Sequence, residues 1–163
     1  TELAESASAV ASAIRVPSTA DRVVLAAAEG DPVAAFVPTA TTLDGCAEEL
    51  LAWIGRTLPR VVGAFLTDAD GLPIATHGVH PEYVGICAAL IGTMSIIRNE
   101  IHRDSRRVAL TLRPGEVLQL IAENTASGEI ALGLVAVDSL QDEVLDEVVA
   151  AMKVLVRKIG DTT

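Results

Sequence analysis

Few residues in this chain stand where chemistry would need them. His77 and His80 lie three apart beside Glu82, the nearest approach to a metal cluster. A metal site wants three or four ligands. No further His or Cys lies close in sequence, so a solvated loop is the plainer expectation. Asp68-Ala69-Asp70-Gly71 has the opening letters of a calcium loop, but such a loop needs a glutamate at its twelfth position. Counting from Asp68, that position holds Val79. A hairpin turn with glycine at positive φ accounts for the same letters. His102 with Cys46 or Cys87 would pair an imidazole with a thiol. Both cysteines sit in apolar helical stripes, where a buried, inert thiol is expected. No P-loop, dinucleotide fingerprint or Gly-x-Ser-x-Gly elbow occurs. The expectation is a chain with no catalytic residue, no metal and no cofactor, which is not an enzyme.

The one local concentration of charge is basic: Arg98, His102, Arg103, Arg106 and Arg107. It stands out against a net charge of −10, from 12 basic and 22 acidic residues. Arg98, Arg103 and Arg106 are the candidate partner contacts. The plainer account is a helix end where cations suit the dipole, with Glu100, Asp104 and Glu116 available as ion-pair partners. The acidic balance argues against nucleic acid and against docking on anionic membranes. No apolar run approaches the ~20 residues of a membrane-spanning helix, so no membrane insertion is expected. Two separated cysteines without a CxxC, and an acidic opening without a basic leader, point to a reduced, cytoplasmic chain.

The 163 residues suit one domain with an appendage. Residues 1–41 form an alanine-rich N-terminal extension broken by Pro17, Gly30, Pro32 and Pro38, with a thin helical stripe at Leu3, Ala7, Val10 and Ile14. Residues 42–160 form the main domain and 161–163 a tail. Leu43, Cys46, Leu50, Ile54 and Leu58 repeat at helical spacing until Pro59. Val61–Asp68 and Leu72–His77 then read as a hairpin. A long helix opens at Pro81, at the favoured first position, and runs to about His102. Strands follow at Val108–Leu112, Glu116–Ala122 and Glu129–Val137. A last helix, capped by Asp138-Ser139 with Gln141 and Asp142 as capping-box partners, runs to Lys158. The fold class is α+β, a five-stranded antiparallel sheet in the order αββαβββα. Val61–Leu66 and Ile130–Val137 are apolar almost throughout, so they are central and helices cover both faces.

The middle helix carries no charge from Val84 to Ile97. Ile86, Leu90, Met94, Ile97 and Ile101 share a broad face, assigned to the sheet. Gly85, Ala89, Gly92 and Ile96 form a second stripe of mostly small residues. A helix apolar all round is buried all round, and one sheet covers only one side. A homodimer through Gly85, Ala89, Gly92 and Ile96, with Val108 and Leu110 of the third strand, is the favoured cover. Burial by the N-terminal extension is the alternative. A mean hydropathy of +0.44 also favours a subunit interface.

The stretch Val61 to Ala75, Val-Val-Gly-Ala-Phe-Leu-Thr-Asp-Ala-Asp-Gly-Leu-Pro-Ile-Ala, resembles the opening hairpin of the Roadblock / dynein light chain family, prokaryotic type. The alanine- and isoleucine-rich helix resembles that family's second helix, and Glu129–Val137 with the helix after it resembles its last strand and helix. The likeness runs from Thr42 to Gly160. It implies one helix on one sheet face and two on the other. It also implies a dimer with middle helices together and third strands paired. In function it implies a non-enzymatic regulator or adaptor of a small Ras-like GTPase: a GTPase-activating or scaffold protein in signalling. The alternatives are a structural dimerisation module without GTPase regulation and, last, a small-molecule sensor.

Overall fold

The computed structural model describes residues 34–101 and 106–161. The stripe at Leu3 to Ile14 and the rest of the extension before Ala34, together with His102 and Arg103, lie outside the described residues. Three helices and five strands occur among those described: α1 (Leu43–Thr57), β1 (Val61–Thr67), β2 (Pro73–His77), α2 (Pro81–Glu100), β3 (Arg107–Arg113), β4 (Glu116–Thr125), β5 (Gly128–Val137) and α3 (Asp142–Gly160). The strands make one antiparallel sheet in the order β2-β1-β5-β4-β3. This is the expected α+β architecture.

Tight turns set this order. Asp68 folds the β1–β2 turn around itself: its Oδ1 accepts from the amides of Asp70 and Leu72, both at 2.9 Å, an Asx-type closure. Gly71 holds φ at +82°, and a Cβ there would stand 2.8 Å from the Ala88 Cα of α2. Only glycine lets this turn close against the helix. The would-be calcium motif is a hairpin turn.

The two faces of the sheet alternate as strands must. Phe65, Leu118, Leu120, Ala122, Ala131 and Val135 pack with Cys87, Ile91 and Met94 of α2. Their alternates, including Ala64, Leu66, Ile121, Leu132 and Leu134, are buried on the opposite face, where α1 and α3 lie together. The continuous apolar runs of β1 and β5 therefore follow from helices on both faces, with β5 at the centre. Gly133 makes room for the wholly buried Phe65: a Cβ at this position would overlap the ring.

Three details differ from the sequence reading. First, α3 begins at Asp142 with Gln141 at the N-cap, and neither Asp138 nor Ser139 caps it. Asp138 takes φ +67° and its amide bonds to the Gly115 carbonyl, so it completes a turn between strand ends. Second, residues 34–40 pack on α1. Phe36 is 6% exposed, with its ring centroid 5.9 Å from that of Trp53. The Trp53 indole donates to the Ala34 carbonyl at 2.8 Å. The Glu49 carboxylate accepts from the Thr39 hydroxyl and from the Thr39 and Ala40 amides.

Third, α2 meets the sheet through Cys87, Ile91 and Met94. Ile86 and Ile101, assigned to that face from the sequence, are 36% and 70% exposed. In a helix apolar on every side the apolar pattern carries little phase. Polar ties at the two ends help set it: Tyr83 to Glu116 and Arg98 to Glu129.

Candidate functional site

The surface that asks for a function is the outer side of α2. Gly85, Ala89, Gly92 and Ile96 are all exposed there, Ile96 at 64%. Among the described residues, nothing lies within 4 Å of a Cβ at Gly85 or Gly92. The stripe is thus a shallow, uncharged groove open to a closely approaching neighbour. Val108 is half-buried against the α2 core, while Leu110 is 37% exposed. Leu72, at the β1–β2 turn that Gly71 brings against α2, is 62% exposed. The structure therefore gathers the predicted interface residues on one side of the molecule, on α2 and the neighbouring β3. Isolated exposed aliphatics are ordinary, but this helix is uncharged over fourteen positions and exposes one whole side.

Charged side chains frame that surface at both ends of α2. At its C-terminal end, Arg98 meets the Glu129 carboxylate with nitrogen–oxygen distances of 2.9 and 2.8 Å. These side chains are 12% and 15% exposed. Arg106, 39% exposed, stands 3.4 Å from the same carboxylate. Arg98 is thus an internal tie between α2 and β5, and of the described candidate contacts Arg106 offers the more open guanidinium. Arg103 lies outside the described residues. At the N-terminal end, the Tyr83 hydroxyl donates to Glu116 at 2.6 Å. Arg113 donates to the other Glu116 oxygen at 3.1 and 2.7 Å. The hydrogen bond to Glu116 raises the Tyr83 pKa, and the Tyr83 and Arg113 donors hold Glu116 below the usual carboxylate range. Sequence reading missed this network, since Tyr83 lies 33 residues from Glu116 and the three share no motif.

The other candidates stand apart. His77 packs over Gly55 of α1, whereas His80 is the N-cap of α2. Among the described residues no group of three or more His, Cys, Asp or Glu could hold a metal ion. Cys46 is buried and donates to the Ala40 carbonyl at 3.2 Å. Cys87 is buried on the sheet-facing side of α2, 3.8 Å from the Thr67 hydroxyl. Burial raises the pKa of both thiols, which keeps them protonated and weakly nucleophilic. No helix among the described residues is long and apolar enough to cross a membrane.

No family model matches the sequence, and a search of curated proteins finds no match. Solved structures do match. The Roadblock/LC7 domain from Streptomyces avermitilis is 22% identical with a TM-score of 0.50, covering 72% of this chain and 94% of that one. Gliding protein MglB from Thermus thermophilus is 14% identical with a TM-score of 0.50, over 82% of this chain and 97% of that one. Myxococcus xanthus MglB is 11% identical with a TM-score of 0.53, over 74% and 90%. These likenesses, with the strand order and helix placement above, show a roadblock fold.

Proposed function

We propose that this chain is a non-enzymatic, roadblock-type regulator or adaptor of a small Ras-like GTPase, and that it works as a homodimer in the cytoplasm. The observation that carries the reading is the uncharged outer side of α2, open at Gly85, Ala89, Gly92 and Ile96, on a roadblock fold. A second copy of the same groove is its natural cover, because small residues on both sides let two helices approach closely. The likeness to the gliding protein MglB from Thermus thermophilus supports a role beside a motility system.

On this reading the GTPase brings the nucleotide, the magnesium ion and most of the catalytic groups. The contribution of this chain is positioning, and electrostatic positioning works only from a rigid frame. The buried core beneath α2, the Tyr83–Glu116 hydrogen bond at one end and the Arg98–Glu129 ion pair at the other supply that rigidity. The test is binding of the full chain to a small Ras-like GTPase, ideally one encoded beside it, in its GTP- and GDP-loaded forms, with GTP hydrolysis followed in parallel. State-dependent binding is expected. An arginine finger in trans is worth about 10³–10⁵ in rate, whereas Arg106→Ala should cost less than ~10-fold, as positioning without a finger requires. Absence of binding in either nucleotide state would leave the dimerisation module as the reading.

A further inference from the structure

Residues 34–40 form neither helix nor strand and run back along α1. Cys46, Glu49 and Trp53 stand three and four positions apart, so they share one face of that helix. All three grip the backbone of the returning segment. Cys46 donates to the Ala40 carbonyl, Glu49 accepts from the Thr39 and Ala40 amides, and the Trp53 indole donates to the Ala34 carbonyl. The segment is thus fixed at both ends. Between it and α1 lies a cleft of about 530 Å³. Phe36 and Trp53, with ring centroids 5.9 Å apart, give the cleft an aromatic wall, and Val37 and Ala52 extend its apolar lining. Val37 lines the cleft and is still 74% exposed.

Two charged side chains, Glu49 and Arg56, also line it. They lie seven positions apart on α1, which is two turns or roughly 10 Å along the axis. The Glu49 carboxylate is engaged by three donors of the segment: the Thr39 hydroxyl and the Thr39 and Ala40 amides. Arg56 differs. It is exposed and has no ion-pair partner among the described residues, whereas Arg98, Arg106, Arg107 and Arg113 each meet a carboxylate. The cleft therefore combines an apolar body with one uncompensated cation at the end away from Glu49. An apolar cavity of this size with a single directing charge is the form of a small-ligand site. The planar donor fork of a guanidinium matches a carboxylate.

We propose that the cleft between residues 34–40 and α1 binds a small amphipathic monoanion, its carboxylate on Arg56 and its apolar body against Phe36, Val37 and Trp53. The returning segment is one wall of the site, so the ligand binds only while residues 34–40 are seated and holds them on α1 by mass action. The site lies across the sheet from α2. It therefore stands independently of the homodimer and of the GTPase reading, and its failure would leave both untouched.

The probe is decanoate, with decanol as its uncharged counterpart, titrated into the full chain by calorimetry. Emission from Trp53, the one tryptophan of the sequence, is followed in parallel to locate the site. Saturable decanoate binding with a matching change in Trp53 emission is expected, and decanol should bind more weakly. Arg56→Gln should weaken decanoate about tenfold, the loss of one hydrogen-bonded charge, and leave decanol unchanged. Arg56 is exposed and unpaired, so this variant keeps the wild-type melt. Val37→Asp, also at an exposed position, sets a carboxylate against the apolar body and should abolish decanoate binding. Absence of saturable decanoate binding overturns the proposal. So does binding that leaves Trp53 emission unchanged, or binding that Arg56→Gln does not weaken.

Discussion

Gly133→Ala is the sharpest test of the packing that holds α2 in place. In the centre of β5 the new methyl would lie 2.5 Å from two ring carbons of Phe65 and closer still to Cζ. The ring cannot swing away, because Phe65 is wholly buried among Cys87, Ile91, Met94 and Leu120. Overpacking of this kind costs about 1–3 kcal/mol, which is a few to about 10 °C in Tm for a domain of this size. Phe65→Leu alone also destabilises, by leaving a cavity. Combined with Gly133→Ala it should cost less than the sum, since the methyl then enters space the ring has vacated. The coupling expected of contacting residues is about 0.5–3 kcal/mol. The assay is urea unfolding of the four proteins at one protomer concentration, because dimerisation makes apparent stability concentration-dependent. Strict additivity, or a Gly133→Ala cost under about 0.5 kcal/mol, the usual range for a change away from any packed feature, would refute the reasoning.

Three further outcomes are expected. Glu49 is held below the usual carboxylate range, first by the Thr39 hydroxyl and then by the Ala40 and Thr39 amides. Its stabilisation is therefore present above the unfolded-state pKa and lost as pH falls through the lower folded value. Trp53 emission should report release of residues 34–40 on acidification, and Glu49→Gln should remove that step. Arg98→Ala should destabilise by about 1–3 kcal/mol, leaving a largely buried Glu129 short of a partner, while the more exposed Arg106→Ala costs under about 1 kcal/mol; thermal melts of both decide it. A chain starting after Pro38 should melt lower than one starting at Ala34, having lost Phe36 from Trp53.

The strands and turns were legible because their signals are local. Asp68 and Gly71 specify their turn within four residues, and the apolar runs of β1 and β5 declare burial on both faces. The phase of α2 was not legible. Apolar residues on every side give the sheet no preferred face, and the ties at Tyr83–Glu116 and Arg98–Glu129 are made across 33 and 31 residues. The packing of residues 34–40 was hidden for a related reason. It depends on Glu49 and Trp53, at 10 and 19 residues' separation, and an extended segment carries no periodicity to betray it. The small-residue stripe is legible as a separate face of α2 because it needs only helical spacing, and its residues are exposed. The basic run was read as one feature, yet Arg98 is turned inward and Arg106 lies more open, a difference that depends on where Glu129 sits.

The central claim is that the open groove of α2 is a subunit interface, and sedimentation velocity tests it most directly. The wild-type chain at micromolar concentration should sediment with twice the 16.9 kDa protomer mass. Gly92→Leu should sediment as a monomer with an unchanged far-ultraviolet spectrum, because a side chain at that position meets none of the described residues of its own protomer. A wild-type monomer, or a Gly92→Leu dimer as tight as wild type, would contradict the account.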